Sequence, residues 1–219
     1  MKKHTTGFLT MLALLLMLSA APLSAQLSRQ EQALLTEARN GRVERVAALL
    51  EQGINVDARD SRGQTALVLA VDRRHPQVAE LLLAQGAEVC AAALHRSAVR
   101  SDPDLFAKVL SRAPNAAEIG SDAYLHAAFL GRTENVALLL DAGVPIDAVH
   151  HTNGRTALMQ ALDQARTETI ELLITRGANL NARDPNGRSV LSFALGSEEM
   201  SDQQRTRIAA RLREAGARD

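Results

Sequence analysis

The apolar residues of this chain fall into short stripes with helical spacing, and the stripes recur along the sequence. One stripe lies between Val78 and Ala87 and ends in Gly86-Ala87, and a second between Thr169 and Ala178 ends in Gly177-Ala178. Apolar residues in adjacent pairs one helical turn apart form one face of a helix. The stripe-ending glycines recur with a period of roughly 33 residues, from Gly53 to Gly86 and again from Gly143 to Gly177, so the pattern predicts an array of repeated short helices.

Six units align on a leading core residue in the first helix of each. The leading residues are Leu34, Leu67, Leu94, Tyr124, Leu158 and Leu191. In the first five units a second apolar position follows at one constant distance, at Val46, Ala79, Phe106, Val136 and Ile170. This constancy predicts helix pairs of equal length. The sixth unit has a polar insert from Ser197 to Asp202 and a charged second helix, as suits a terminal repeat whose outer face meets water.

Two turns in the chain carry a recognisable motif. Gly63-Gln64-Thr65-Ala66-Leu67 and Gly154-Arg155-Thr156-Ala157-Leu158 each place threonine where it can cap a helix, and glycine closes the helix pair. The chain resembles the ankyrin-repeat family, whose turn reads D-x-x-G-x-T-P-L-H. The resemblance implies an all-α ankyrin-repeat solenoid of about six helix-turn-helix units with short β-hairpin fingers, some of them missing. Ala66 and Ala157 replace the family's proline, and we expect the threonine–histidine hydrogen bonds of the family to be absent.

The chain is predicted to hold one domain after a leader. Residues 1–25 form a signal peptide and residues 26–219 a single ankyrin-repeat domain. The units span about 27–57, 58–90, 91–119, 120–150, 151–183 and 184–219.

Loop lengths predict where fingers are missing. From the closing glycine of one unit to the leading residue of the next, the stretch from Gly53 to Leu67 equals that from Gly177 to Leu191. The stretch from Gly86 to Leu94 is little more than half as long. The finger before Tyr124 is also short. The middle of the array should therefore have a notch.

The leader has the features of an export signal. Lys2 and Lys3 precede an apolar run from Phe8 to Leu18 and a group of small residues ending at Ala25. The run is too short to span a bilayer. Cleavage after Ala25 would make the protein periplasmic or secreted, without membrane insertion once the signal is removed; an uncleaved anchor is the alternative.

Charge and cysteine content exclude several classes of partner. The chain has 25 basic and 25 acidic residues, and without Lys2 and Lys3 the balance is about −2. Nucleic acid and anionic membranes are bound through a basic excess, which this chain lacks. One cysteine cannot form an internal disulfide, but a hydrophobic content of 46% allows a packed core.

Few residues could carry chemistry. His150 and His151 are adjacent in a finger, but a metal site needs further converging ligands, so we interpret them as solvated. His95 and His126 are expected to pack or to form a hydrogen bond, and His75 to form a local one. Cys90 is interpreted as a small buried residue, with a redox-responsive or intermolecular thiol as the alternative. No nucleophile elbow, phosphate loop or zinc-peptidase motif occurs, so we expect no enzyme, cofactor or metal.

The resemblance also indicates where a partner would bind. The two residues after the small pair in each first helix line the concave groove of the family, and here Phe129-Leu130 is apolar in a chain with 2% aromatics. The pair is predicted to anchor an interface; alternatively, the missing fingers let the chain fold over it. The candidate binding residues are Arg39, Arg62, Asp72, Arg73, Arg100, Phe129, Leu130, Asn153, Arg155, Asp163 and Gln164.

The predicted function is protein binding. The resemblance implies a non-catalytic, monomeric protein-protein interaction module, and the export signal suggests that it binds and protects or scaffolds an envelope protein, with oxidative stress as one setting. An immunity protein that neutralises a delivered toxin is the alternative. A metal-binding or thiol-redox protein is the alternative from a different class.

Overall fold

In a computed structural model, residues 27–218 are described and form thirteen helices, with no strand among them. Six helix pairs and one single-turn helix follow one another, which confirms the all-α solenoid; the predicted signal peptide lies outside the described residues. The helices are α1 (Arg29–Arg39), α2 (Val43–Glu51), α3 (Ala66–Asp72), α4 (Pro76–Ala84), α5 (Ala91–Ala98), α6 (Pro103–Ser111), α7 (Ala116–Ile119), α8 (Ser121–Leu130), α9 (Thr133–Asp141), α10 (Ala157–Asp163), α11 (Thr167–Thr175), α12 (Val190–Gly196) and α13 (Asp202–Glu214).

The helices form two layers. The first helices of the pairs stack side by side in the order α1, α3, α5, α8, α10 and α12, and the second helices α2, α4, α6, α9 and α11 form the other layer. The leading core residues of all six units are at most 1% exposed. The second apolar positions of the first five units, Val46, Ala79, Phe106, Val136 and Ile170, are fully buried. Each repeat therefore buries its apolar face against its neighbours, as a solenoid requires.

Most first helices begin at a hydroxyl cap. Thr65 Oγ1 accepts the N–H of Val68 at 3.3 Å, and Thr156 Oγ1 accepts that of Met159 at 3.4 Å. These caps form although the family's proline is absent.

Helix α5 begins without a hydroxyl cap. The helix starts at Ala91, and Cys90 is its N-cap without a side-chain hydrogen bond. Its first three residues are alanines, which are strong helix formers. Cys90 is half-buried rather than buried.

Three loops between repeats carry a finger with one antiparallel bridge. The bridges join Arg59 to Thr65, Val149 to Thr156 and Arg183 to Ser189. Before α5 the chain passes from Gly86 into the helix within a few residues, and before α8 the short helix α7 takes the place of a finger. The described part of the chain therefore has fingers at both ends of the array and none before α5 or α8.

Side chains at the start of second helices join neighbouring repeats. His75 Nε2 donates to the carbonyl of Arg39 at 3.1 Å, so its bond is to the preceding repeat rather than local. Arg132 Nε donates to the carbonyl of Val99 at 3.3 Å. These carbonyls lie at or just beyond the end of first helices, where no intrahelical donor remains.

The sixth unit closes the solenoid. Ser201 and Gln204 form a capping box at the start of α13, and only Ile208, Ala209 and Leu212 of this helix are buried. Its other residues are exposed or half-buried, as predicted for a terminal repeat whose outer face meets water. Within residues 27–218, no helix combines the length and apolar character needed to cross a membrane.

Candidate protein-binding groove

A groove of about 740 Å³ opens in the middle of the solenoid, and we name it the central groove. Its lining comes from four first helices, from α7 and from the finger before α10. The lining residues are Asp72, Ala91, Ala92, His95, Arg96, Val99, Arg100, Ile119, Asp122, His126, Phe129, His150, His151, Asn153, Arg155 and Gln160.

The position of the groove follows from the missing fingers. Ala91 and Ala92, at the start of α5, are exposed and line the groove where a finger would otherwise stand. The finger that carries His150 and His151 forms another part of the lining. The notch predicted from loop lengths is therefore where the groove lies.

Two arginines share one carboxylate in the groove. Arg96 Nη1 lies 2.7 Å and Arg100 Nη2 lies 3.1 Å from Oδ1 of Asp72. Arg100 Nη2 also donates to the main-chain carbonyl of Asp72 at 3.1 Å. The carboxylate positions both guanidinium groups but balances only one positive charge.

Two residues of the groove lining carry a buried donor that has no acceptor among the described residues. The two donors are Nε of Arg100 and Nε2 of Gln160. Gln160 is only 7% exposed. A buried donor without an acceptor costs about 1–3 kcal/mol, so an acceptor supplied by a bound molecule would offset that cost.

His95 and His126 form a hydrogen-bonded pair in the groove. His95 Nε2 lies 3.0 Å from His126 Nδ1, which confirms the expected hydrogen bond. Burial lowers the pKa of His95, and the neighbouring His126 lowers it further, while Asp122 acts in the opposite direction. Burial also lowers the pKa of His126, with His150 adding to the effect.

His150 and His151 face the groove as well as solvent. Their rings stack with centroids 4.8 Å apart, and His151 Nδ1 lies 3.7 Å from Oδ1 of Asp122. In the part of the chain that the structure describes, no three His, Cys, Asp or Glu residues are grouped to hold a metal ion.

The structure separates Phe129 from Leu130. Both are half-buried. Phe129 lines the central groove, and its ring meets His126 edge-on with centroids 6.2 Å apart. Leu130 lines a separate depression beside Gly131 and Arg166. The two side chains therefore line different depressions.

The other predicted binding residues divide between the groove and its surroundings. Asp72, Arg100, Asn153 and Arg155 line it. Arg155 Nη1 lies 3.0 Å from Oδ2 of Asp163, and its guanidinium group lies 4.9 Å from the centre of the Phe193 ring. The predicted residues outside the groove lining are Arg39, Arg62, Arg73, Leu130, Asp163 and Gln164.

Sequence reasoning missed a second row of groove residues. Arg96, His126 and Gln160 each lie two positions after the leading core residue of their unit, and all three line the groove. They lie about one helical turn before the two predicted groove positions of each first helix, so they share the same helix face. The sequence signal that could have identified these residues is a polar residue two positions after the leading core residue in three successive units.

Comparisons with known proteins cover most of the chain. The family profile "Ankyrin repeats (3 copies)" matches residues 5–93, 94–184 and 124–201, and the first match begins inside the segment predicted as a signal peptide. A crystal structure of an ankyrin repeat domain from Acinetobacter baumannii aligns with a TM-score of 0.74 at 26% identity, covering 84% of this chain and 98% of that one.

Curated relatives are longer proteins. The B-cell lymphoma 3 protein homolog of Mus musculus is 32% identical over 168 residues, which cover 70% of this chain and 38% of that protein. The phosphocholine transferase AnkX of Legionella pneumophila is 26% identical over 145 residues, covering 66% of this chain and 15% of the enzyme. The repeats, the two-layered stack and the profile matches together show that this chain belongs to the ankyrin-repeat family, whose repeats bind other proteins.

Proposed function

We propose that this protein is a non-catalytic, monomeric binder of another protein, which it engages through the central groove. The observation that carries the proposal is the groove itself, in which the half-buried ring of Phe129 lies among polar side chains with unused hydrogen-bonding capacity. Aromatic anchors in a polar setting are typical of the residues that dominate protein interfaces.

The site of action is proposed to be the bacterial periplasm, where the protein binds and protects or scaffolds an envelope protein. The charged start, short apolar run and small residues of segment 1–25 support export. The absence of a basic excess favours a protein over nucleic acid as the partner.

The transferase activity of AnkX is not extended to this chain. The region of similarity covers only 15% of that enzyme. A fold does not by itself carry a function, so similarity within the repeats gives no support for that enzyme's chemistry in this chain.

Capture from a periplasmic extract of the source organism tests the proposal. Immobilised wild-type protein is compared with Phe129→Ser and with Leu195→Ser. Leu195 is an exposed apolar residue outside the groove lining, so it provides a matched control. We expect one partner to be retained by wild type and Leu195→Ser and lost from Phe129→Ser.

Thermal melts show whether each variant keeps its fold. Equal retention by both variants, or equal loss from both, would contradict binding through the groove.

A further inference from the structure

The charged side chains of the central groove favour an anionic partner. Three arginines, Arg96, Arg100 and Arg155, line it against two carboxylates, Asp72 and Asp122. Asp72 is shared by Arg96 and Arg100, so one positive charge of this cluster is left unbalanced, whereas Arg155 is paired with Asp163 outside the groove lining.

The unpaired donors are a second, independent observation in favour of an anionic partner. Nε2 of Gln160 and Nε of Arg100 are both N–H groups, and only an acceptor atom can satisfy an N–H group. Gln160 is more than nine-tenths buried and lines the groove. Phe129 lies in the repeat between these two residues, so the acceptors would flank an apolar contact.

The histidine pair can become a third source of donors. While both rings are neutral, one ring donates to the other, and the two outward nitrogens are one donor and one acceptor. Adding one proton keeps the internal hydrogen bond and converts the outward acceptor into a donor. The singly protonated pair then presents two N–H groups and one positive charge.

Charged and titratable groups from several elements line the groove together with the histidine pair. Arg96 on its own helix and His150 on the finger oppose protonation, and Asp122 favours it. Asp72 from α3, Arg100 after α5, and His151 and Arg155 before α10 also line the groove. The charged residues of α6, α7 and α9 lie outside the groove lining.

We infer that the central groove recognises a carboxylate-bearing segment of its partner, with an apolar side chain against Phe129, and that the histidine pair makes this binding tighter at mildly acidic pH. The inference rests on the proposed function and specifies its partner chemistry. A bound carboxylate stabilises the protonated pair, so binding takes up a proton and affinity rises as pH falls, until the carboxylate itself is protonated near pH 4.

Selection from a phage-displayed library of random dodecapeptides tests this chemistry. The immobilised protein is used at about pH 7.5 and about pH 5.5, which bracket the usual histidine pKa. We expect selected peptides to combine Asp or Glu with a large apolar residue. The best peptide and its counterpart with Glu→Gln or Asp→Asn are then synthesised, and their affinities are measured by fluorescence anisotropy.

Three variants assign the effect to residues. A shift of one pKa unit on binding corresponds to tenfold in affinity, so we expect the acidic peptide to bind about tenfold more tightly at the lower pH. His95→Gln with His126→Gln should remove that pH dependence. Gln160→Leu should weaken the acidic peptide about tenfold, whereas Gln77→Leu, the same change at an exposed position of α4, should leave its affinity unchanged.

The outcomes separate the inference from the proposed function. Uncharged or basic peptides that bind wild type but not Phe129→Ser would overturn the inference and leave protein binding in the groove intact. Acidic peptides whose affinity ignores both Gln160→Leu and pH would overturn it in the same way. Peptides insensitive to Phe129→Ser, or a selection without any enriched peptide, would overturn both.

Discussion

Arg166 donates a hydrogen bond from Nε to the main-chain carbonyl of Phe129, with 3.0 Å between the two atoms. The aromatic residue of the groove is thereby held by a side chain from the following repeat. Because this carbonyl lies in the last turn of α8, no N–H of the helix can satisfy it. The placement of Phe129 therefore depends on how the fourth and fifth repeats stack.

Replacing Arg166 by Met should lower the free energy of unfolding by about 1–2 kcal/mol, because the carbonyl of Phe129 loses a charged donor. Arg176→Met is the control, since it removes an exposed ion pair with Asp141 that is worth at most about 1 kcal/mol. Urea unfolding measures both. A larger loss for Arg176→Met than for Arg166→Met would contradict the stated role of the bond.

Truncating a core leucine should lower the free energy of unfolding more than Arg166→Met does. Leu82 and Leu173 are fully buried, and changing either to Ala should destabilise the fold by about 2–5 kcal/mol through the cavity that is left. Leu172→Ala, at a half-buried neighbour, should have a smaller effect. Losses below about 1 kcal/mol at both buried sites would mean that the solenoid is packed differently.

Replacing Ala165 by glycine should stabilise the folded protein. It has a φ of +54° in the turn after α10, where the fourth repeat has Gly131 at +72°. A left-handed conformation costs a residue with a Cβ roughly 1 kcal/mol, so Ala165→Gly should raise the melting temperature.

The reverse change offers a matched comparison. A Cβ on Gly131 would approach Cδ of Arg166 to 2.8 Å, so Gly131→Ala should lower the melting temperature. Equal melting temperatures for wild type and both variants would show that neither turn is strained.

Stability should fall as the solution becomes mildly acidic. The pKa values of His95 and His126 are lowered in the folded protein, so the unfolded chain, with histidines near pKa 6.5, binds more protons. The stability associated with the neutral pair is complete above about pH 6.5 and is lost as pH falls through the lower folded pKa values.

Urea midpoints measured from about pH 7 to about pH 5 test this dependence. His95→Gln with His126→Gln should give a flatter profile than wild type. If the urea midpoints of wild type and the double variant changed equally with pH, the histidine pair would not be the cause of the pH dependence.

The exported form should begin near Gln26, because the small residues before it fit a cleavage site. Intact-mass analysis of the protein from a periplasmic fraction measures its first residue. Recovery of only the full-length chain from the cytosol would contradict export.

The sequence determined the repeat register because that register depends on local spacing. The constant distance between the two core positions of the first five units predicted residue by residue which side chains are buried. Loop lengths likewise located the missing fingers, since a finger needs chain that is absent between Gly86 and Leu94. The helix α7 was not foreseen, because its single turn is too short to show a periodic pattern.

The tertiary structure decided which side chains share the groove. Asp72, Arg96 and Arg100 meet because α3 stacks on α5, and His95 meets His126 because α5 stacks on α8. Adjacent residues were separated for the same reason: successive helical positions point about 100° apart, so Phe129 lines the groove and Leu130 does not. Periodicity gave the face of each helix, but the donors that remain unpaired, Nε of Arg100 and Nε2 of Gln160, depend on the stacking of all the repeats around them.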